Sequence, residues 1–442
     1  MAGGTWLSQN KIRPGAYINF KSVPKSTMTV GDRGIVAIGL PLKWGKENEL
    51  IEVLSTSLLD GSSKKEIGFD AFDKDSKLLV GALSYAYKAL VYRTSVGGQK
   101  ATAEIDNLKI TAKYSGSFGN KILVTVKERD SLFDVITYVN GETVDSQRVS
   151  TISELENNGY VVFSGEGDLS ENAGIALSNG TDGEVDESTI YPKMLSSLRI
   201  AHWQTFACTS SETSIKSSVC DFAKQLRDDE GRYVQVVVAD YNGADFEGVI
   251  NSISGCVIDG VEYSKEEFTS IVAGLTAGAN FNQSNTGKKI NGATKIIGEL
   301  NDTEIKEALG LGKFLLSTSA KGDVKVEQDI NSLHNFTAVK NYNFSKNRVI
   351  RTLDEIGTST KLTWEETYMG KVDNDDIGRG LFKSDLIAYG NELLRLGGIQ
   401  EFNGKDDISV SQGQNLDSVL TEWSVKPVDS MEKLYMSVNV RG

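Results

Sequence analysis

Polar and apolar residues alternate at the C-terminal end of the chain. Over 433–440 every second residue is apolar, which is the period of a strand that buries one face. Leu434, Met436, Val438 and Val440 would share that face. Such a strand needs a neighbouring strand, and we predict that the neighbour belongs to another subunit.

A second short alternating stretch occupies 13–20, after a polar lead. Two adhesive ends on one chain predict assembly by strand donation, in which backbone hydrogen bonds supply affinity and alternate side chains supply register. The residues that we predict to exchange between subunits are Tyr17, Ile18, Asn19, Phe20, Leu434, Tyr435, Met436, Val438 and Val440.

Between the two ends, the first α/β pattern covers 20–98. An apolar strand is predicted at 34–39, a strand or a short helix at 48–56, and a helix with one apolar face at 77–92. We interpret this segment as a small α/β unit.

The pattern changes to strand alternation from about 97 to 183. Strands are predicted at 101–105, 108–114, 121–128, 133–139 and 143–149. Asn140 and Gly141 tolerate the positive backbone angles of a two-residue hairpin turn, and the Gly-rich stretch 177–183 marks a boundary. We predict an inserted β-sandwich whose deletion leaves a folded core.

Strands and helices alternate again after the insertion. The Val-rich strand at 233–239 is of the kind that is buried on both faces of a parallel sheet, and Ser264 with Glu267 predicts a capping box. The predicted elements up to 335 are strands at 203–208, 233–239 and 313–317 and helices at 211–227, 264–277 and 303–309. From about 334, strands at 338–344 and 409–411 lie around two helices, the second at 380–396.

The composition is that of an ordinary globular protein of several domains. The 442 residues are 39% hydrophobic and 24% charged, and no apolar run approaches the roughly 18 residues that span a bilayer. A net charge of −13 opposes binding to nucleic acid or to an anionic membrane. The N-terminal residues lack the pattern of a signal peptide, so we expect a cytoplasmic protein.

Catalytic candidates are few. The two histidines are His202 and His334, and His202 and Asp240 flank predicted strands, so a serine, histidine and aspartate set is conceivable at strand ends. No Gly-x-Ser-x-Gly turn accompanies them, which favours a structural or surface role for both histidines. We predict that the protein is not an enzyme.

Metal and cofactor sites are also poorly supported. Cys208, Cys220 and Cys256 lack Cys-x-x-Cys spacing and fit core thiols in a reducing compartment. The acidic run 373–376 lacks the glycine and the distal glutamate of a calcium loop and fits a solvated turn. The glycines of 274–278 and 310–313 fit turns and close packing better than phosphate binding. We predict no metal and no cofactor.

Several motifs, in their order and spacing, resemble one protein family. They are Arg13-Pro14-Gly15-Ala16-Tyr17-Ile18-Asn19-Phe20, Thr181-Asp182-Gly183, Ala273-Gly274-Leu275-Thr276-Ala277-Gly278, Tyr368-Met369-Gly370-Lys371-Val372-Asp373-Asn374 and the closing stretch 423–440. Over nearly its whole length the chain resembles the tail sheath protein of contractile phage tails, above all those of Bacillus and Clostridium prophages and phage-tail-like bacteriocins.

The resemblance implies a multidomain α/β and α+β fold. It implies a subtilisin-like α/β core without protease activity, an inserted all-β sandwich, an α+β C-terminal domain and extended terminal strands. The expected divisions are an N-terminal arm (1–20), an N-terminal α/β segment (21–97), the sandwich (98–183), the core (184–335), the C-terminal sheath domain (336–425) and a C-terminal arm (426–442).

The resemblance also implies a function. Sheath subunits polymerise around an inner tube, stay joined by their terminal arms, and contract to drive the tube through a cell envelope. The implied partners are further copies of the chain, the inner tail tube protein, and baseplate and tail terminator proteins. Assembly would take place in the cytoplasm of a bacterial host, and the product would be a virion tail or a phage-tail-like particle. The rival hypotheses are a subtilisin-like hydrolase and a self-assembling surface-layer or adhesin protein.

One helix is a candidate for the surface that faces the tube. Arg379, Lys383 and Arg395 lie on or beside the predicted helix 380–396 and form a basic minority in an acidic chain. The alternative is an ordinary amphipathic helix with solvated charges.

Overall fold

The computed structural model describes residues 33–441, together with Met28, Val30, Gly31 and the backbone of 2–4 and 15–17. The chain divides into two compact units. The smaller unit comprises Met1–Val30 and Ser359–Lys426, and the larger comprises Gly31–Thr358 and Pro427–Gly442.

The helices and strands of the described residues are numbered along the chain. The α-helices are α1 (Ser55–Leu59), α2 (Lys64–Ile67), α3 (Lys77–Leu83), α4 (Glu187–Ile200), α5 (Thr213–Asp228), α6 (Lys265–Gly278), α7 (Asp302–Gly310), α8 (Asn347–Thr363) and α9 (Asp376–Arg395). The strands are β1 (Ala2–Gly4), β2 (Gly15–Tyr17), β3 (Ile35–Leu40), β4 (Leu50–Leu54), β5 (Lys88–Arg93), β6 (Lys100–Ile105), β7 (Leu108–Ser115), β8 (Ile122–Arg129), β9 (Leu132–Val139), β10 (Glu142–Val149), β11 (Val161–Ser164), β12 (Asn172–Ala176), β13 (Thr205–Ala207), β14 (Gln235–Ala239), β15 (Val249–Ser252), β16 (Gly255–Ile258), β17 (Val261–Tyr263), β18 (Ala293–Ile297), β19 (Lys313–Phe314), β20 (Leu316–Thr318), β21 (Val324–Val326), β22 (Ile408–Gln412) and β23 (Val419–Trp423).

A seven-stranded sheet forms the centre of the larger unit. Its strand order is β19-β15-β14-β13-β3-β5-β4, and β4 alone in this sheet runs antiparallel to its neighbour. Val36 and Ile38 pack into one apolar cluster with residues of α3 and α6, whereas Ile35 and Ala37 pack into a second cluster with residues of α4 and α5. Because both faces of the sheet are covered, its strands are continuous apolar runs.

Helices α3 and α6 approach each other closely because α6 carries glycines at the contact. A Cβ atom on Gly274 would lie 2.2 Å from the carbonyl oxygen of Ala82, and one on Gly278 would lie 1.9 Å from that of Tyr85. The glycines of 274–278 therefore serve close packing, as predicted. The predicted capping box at Ser264 and Glu267 is also confirmed.

The insertion consists of two sheets, β10-β9-β8-β12 and β11-β7-β6, which share one apolar cluster. The five strands predicted in this region are confirmed to within two residues at each end. Asn140 and Gly141 have φ angles of 52° and 83°, as the predicted two-residue turn requires. Strands β11 and β12 were not predicted.

The helix predicted over 77–92 is wrong beyond Leu83. Helix α3 ends there, and the following strand β5 lies between β3 and β4 in the central sheet. Ala89, Leu90 and Val91 are buried in that strand. A short apolar run fits a buried helix and a buried strand equally well, which is why its period misled the prediction.

Three other predictions for the larger unit need correction. The strand predicted at 338–344 is wrong, because the Asn341 side chain accepts a hydrogen bond from the Asn343 N–H at 3.0 Å and starts a 3-10 turn instead. The closing strand predicted at 313–317 divides into β19 and β20, which belong to different sheets. Helix α4 was missed, and it contains Pro192, a residue that argues against a helix interior.

The smaller unit contains α9 packed on the hairpin formed by β22 and β23. Trp423 lies 6.2 Å from Tyr389 and 6.1 Å from Phe402 between ring centroids. The Asp375 carboxylate caps α9 by accepting a hydrogen bond from the Gly378 N–H at 2.8 Å. The acidic run 373–376 is therefore the start of a helix. Among the described residues, no helix is both long and apolar enough to span a membrane.

Candidate subunit interface at the C-terminal end

Residues 433–441, hereafter the C-terminal segment, form an exposed stretch without regular secondary structure in the single chain. The side chains of Leu434 and Val440 are 85% and 91% exposed, and those of Tyr435, Met436 and Val438 are exposed to a similar degree. Within the described residues, no backbone hydrogen bond involves this segment. An apolar stretch of this kind on a protein surface marks a site of interaction.

The C-terminal segment begins directly after an anchored residue, Glu432. Its carboxylate accepts hydrogen bonds from Thr286 Oγ1 at 2.7 Å and from Gln328 Nε2 at 2.6 Å, and it forms an ion pair with Lys346. The side chains of Lys346 and Glu432 are only 5% and 11% exposed. The chain is therefore anchored by the side chain of Glu432, and the residues that follow it make no backbone hydrogen bond with the described residues.

The charges of this anchor stabilise each other. Burial opposes the charge on Glu432, but the hydrogen bonds from its three partners outweigh burial and lower the pKa of the carboxyl. Burial likewise opposes the charge on Lys346, whose pKa is nevertheless raised by the bond to Glu432. Both groups are thus charged at neutral pH.

Buried polar groups connect the anchor to the central sheet. Thr286 Oγ1 accepts a hydrogen bond from the Asp329 N–H at 2.9 Å, and the Asp329 carboxylate accepts one from Asn347 Nδ2 at 3.0 Å. The Asn347 side-chain oxygen in turn accepts a hydrogen bond from Gln235 Nε2 of β14 at 2.9 Å. The anchor is therefore linked to β14 through Thr286, Asp329 and Asn347.

The predicted N-terminal exchange strand is described in part. β2 ends at Tyr17 and pairs in parallel with β1 through its backbone. Ile18, Asn19 and Phe20 lie outside the described residues. Exchange through this end remains a prediction.

The hairpin β22–β23 is a candidate acceptor for a donated strand. Its two strands pair with each other over five positions. In the part of the chain that the structure describes, neither strand has a second neighbour, so both edges present free backbone groups.

The sequence pattern predicted strand β22 of this hairpin but did not predict β23. Gly413 and Asn415, between two short alternating runs, are the signal that could have identified the hairpin.

Two of the three basic residues of the candidate tube-facing helix are paired within α9 and its cap. Arg379 bonds to Asn374 and Asp376 and is 14% exposed, and Arg395 forms a two-bonded pair with Glu392. Lys383 contacts the carbonyl of Lys405 at 3.5 Å. The outer surface of α9 also exposes Ile377 and Leu381.

His202 and Asp240, the two residues considered for a catalytic set with a serine, do not lie together in the structure. β13 and β14 are parallel neighbours, so His202, which precedes β13, and Asp240, which follows β14, lie at opposite ends of these strands. Asp240 instead pairs with Lys265 at 2.8 Å and Lys313 at 3.4 Å. Burial lowers the pKa of His202, which keeps it neutral. The prediction of separate structural roles is consistent with this geometry.

The other histidine and the three cysteines also have contacts or surroundings that the structure describes. His334 lies beside Asp245, with Nδ1 at 2.9 Å from the carbonyl oxygen of Ser332. Burial raises the pKa of Cys208 to about 11 and that of Cys220 and Cys256 to about 12, so these thiols stay protonated. Among the described residues, no group of three histidines, cysteines or carboxylates could hold a metal ion.

Family models match most of the chain. Residues 96–182 match the phage tail sheath protein beta-sandwich domain, 188–332 the phage tail sheath protein central domain, and 339–441 the phage tail sheath C-terminal domain. These three matches follow one another in the order of the chain.

Relatives of similar length support the same assignment. The chain is 34% identical to the phage-like element PBSX protein XkdK of Bacillus subtilis, over 100% of both chains. The crystal structure of the sheath tail protein of Desulfitobacterium hafniense is 38% identical, with a TM-score of 0.82 over 96% of this chain and 99% of that one. The helical sheath of the anti-feeding prophage in its contracted state shares the fold, with a TM-score of 0.57 at 9% identity over 97% of this chain and 99% of that one.

Proposed function

Since the chain belongs to the phage tail sheath protein family, we propose that it is the structural subunit of a contractile sheath, which polymerises around an inner tube and contracts to drive that tube through a cell envelope. The observation that carries this proposal is the exposed, apolar C-terminal segment that begins at a buried anchor. A subunit built this way has unmet contacts that another copy can supply.

The proposed link between subunits is a donated strand. The C-terminal segment of one subunit would add to an open edge of the hairpin β22–β23 in another subunit. About five backbone hydrogen bonds at roughly 0.5 to 1.5 kcal/mol each would join the pair. The N-terminal residues 17–20 would contribute a second such link, and larger surfaces would stay free to repack between two lattice states.

Contraction in this proposal is powered by assembly itself. The sequence contains no phosphate-loop pattern, so no nucleotide supplies the energy. The difference in buried surface between an extended and a contracted lattice would supply it instead, because each lattice buries different faces of the same subunit.

The finer organisation is also proposed. The seven-stranded sheet, covered by helices on both faces, supports a subtilisin-like topology for the core. We propose the following domain boundaries. The sandwich covers 98–183, and the core segments 21–97 and 184–335 flank it. The sheath domain covers 336–425, and the two arms cover 1–20 and 426–442. The inner tail tube, baseplate and tail terminator proteins are the proposed partners, with assembly in the host cytoplasm. Lys383, with Arg379 and Arg395, is the proposed contact to the tube.

The protein is proposed to act without catalysis. The opposite positions of His202 and Asp240 in the sheet argue against the hydrolase alternative. Labelling with a serine-hydrolase probe would give no signal above background if the protein is only structural, and stoichiometric labelling would favour the hydrolase.

Electron microscopy of the purified protein tests the proposal. We expect the full chain to form hollow tubules and the chain without 433–442 to remain a folded monomer with an unchanged unfolding temperature, because the described residues that are removed, 433–441, are all exposed. Removal of Arg441 and Gly442 alone is the matched control and should leave tubules. Tubules of normal length from the chain without 433–442, at the same concentration, would contradict strand donation.

A further inference from the structure

Helix α8 holds the positions at which both chain ends join the larger unit. Lys346, the residue directly before α8, forms the ion pair with Glu432 at the start of the C-terminal segment. Glu355, within α8, accepts a hydrogen bond from the Gly31 N–H at 3.0 Å. The two contacts are nine residues apart, which corresponds to about 13 Å along a helix.

Between these two contacts, buried ion pairs fasten α8 to its surroundings. Arg351 pairs with Asp329 at 2.5 Å, and both side chains are almost completely buried. Asp354 makes two bonds to Arg227 of α5, at 2.7 and 2.9 Å. Asp354 and Glu355 follow Arg351 by three and four residues, which places both on the side of α8 that carries Arg351.

The chemistry of these contacts favours a role in geometry. A buried ion pair contributes little net stability, since desolvation offsets the attraction, but removing one partner leaves an uncompensated charge. Directional contacts of this kind fix positions and orientations more narrowly than apolar packing does. The contacts of Arg351 and Asp354 hold α8 in place, and those of Lys346 and Glu355 hold Glu432 and Gly31 beside it.

We propose that α8 is a rigid connector between the two arms and that Glu432 and Glu355 are positioning residues for sheath assembly. They set the directions in which the two chain ends leave the subunit, and thereby the rise and twist between neighbours. Strand pairing itself comes from 433–440. The inference rests on the proposed exchange of arms between copies of this chain.

The test compares Glu432→Gln, Glu355→Gln and the double variant with Glu104→Gln, a matched change at an exposed glutamate of the sandwich. Monomers are first digested with trypsin, because cleavage after Lys433 requires residues 430–432 to leave their anchor. We expect Glu432→Gln to raise this cleavage rate about fivefold or more through local opening, with no change for Glu104→Gln. An unchanged rate would overturn the role of Glu432.

Cryo-electron microscopy of the assembled tubules is the second measurement. We expect Glu432→Gln and Glu355→Gln to polymerise, but with twist and rise spread at least about twofold more widely than in the wild type. Gln328→Leu removes one hydrogen bond to the same carboxylate and should give a smaller spread, so the test stands even if Glu432→Gln unfolds. Variant tubules with wild-type twist and rise would overturn the proposal. Failure of the wild-type chain to form tubules would instead contradict the proposed function.

Discussion

The β-sandwich and the C-terminal segment are both appended to the central sheet of the larger unit, and they are joined to it in opposite ways. The sandwich is fastened by Trp44, which comes from the loop after β3 and is completely buried in the apolar cluster of the sandwich. Its ring centroid lies 5.1 Å from that of Tyr114 and 5.0 Å from that of Phe118. The C-terminal segment has no comparable contact within the described residues after Glu432.

Polar contacts reinforce the junction of the sandwich. Arg93 of β5 is fully buried and donates hydrogen bonds from Nη1 to the carbonyl oxygens of Gly45 at 2.8 Å and Ser115 at 3.0 Å. A Cβ atom on Gly116 would lie 1.9 Å from the Lys43 carbonyl oxygen, so the two backbones touch. The two regions therefore differ in their contacts: the sandwich is held by its own chain, whereas the C-terminal segment is exposed in the single chain.

The largest effect that follows from this comparison is expected on removing the sandwich. The sequence alone predicted a folded core after deletion of 98–182, but Trp44 would then lose its aromatic partners Tyr114 and Phe118, and Arg93 would lose the Ser115 carbonyl. We expect the deletion variant, closed by a short Gly/Ser joint, to aggregate or to lose cooperative unfolding in circular dichroism. Adding Trp44→Ser should improve its solubility. A cooperative unfolding transition close to that of the full chain would restore the original prediction.

Replacement of Trp44 alone should have the next largest effect. We expect Trp44→Ala to lower the free energy of unfolding by about 3 to 5 kcal/mol, because it leaves a cavity among aromatic side chains. Chemical denaturation measures this change. Phe72→Ala, at a phenyl ring that is 85% exposed, is the control and should cost little. Equal effects of the two substitutions would mean that Trp44 does not fasten the sandwich.

The same pair of regions separates what sequence patterns can predict from what they cannot. The sandwich strands were predicted because each alternates with a period of two and ends at a turn residue. The junction was not predicted, because Trp44 is one aromatic residue in a loop with no period. The contacts that anchor Glu432 could not be predicted from the sequence either, because Lys346 and Thr286 lie 86 and 146 residues away along the chain.

The prediction for strand β5 of the central sheet was wrong for a different reason. β5 was assigned to a helix because Ala89 and Leu90 continue the three- and four-residue spacing of the apolar residues in α3. The exposed apolar face of 433–440, in contrast, was predicted because one-sided burial in a partner leaves the same alternation as burial in the chain's own core. Sequence patterns therefore predicted a surface for assembly, but not the contacts of Glu432 that precede it.

A proline in the C-terminal segment should affect assembly and spare folding. Met436→Pro removes one backbone donor and fixes a backbone angle, and we expect it to weaken assembly by about 3 kcal/mol if that amide is paired in the sheath. The critical concentration for tubules, measured by sedimentation, would rise accordingly. The unfolding temperature of the monomer should not change. A lower unfolding temperature would show that the segment packs on its own subunit.

Acid should loosen the anchor of the C-terminal segment before it affects the sandwich junction. The pKa of Glu432 is lowered from its ordinary value of 4.5, so its stabilising effect is complete above that pH and is lost as the pH falls through the lowered value. A spin label attached through Ser437→Cys should gain mobility in this window. The aromatic contacts of Trp44 do not titrate there, and near-ultraviolet circular dichroism should change only at lower pH. Glu432→Gln should abolish the early step.

The smallest effect is expected on the polar face of the C-terminal segment. Val438 and Asn439 are adjacent and exposed in the single chain, but the alternation assigns Val438 to the face that a neighbour buries and Asn439 to the opposite face. We expect Val438→Ala to weaken assembly by about 1.5 kcal/mol, since two buried methyl groups are lost, and Asn439→Ala to change it by less than about 0.5 kcal/mol. Sedimentation of both variants at matched concentrations measures the difference. Equal losses would mean that the register is not set by alternate side chains, and a larger loss for Asn439→Ala would reverse the assigned faces.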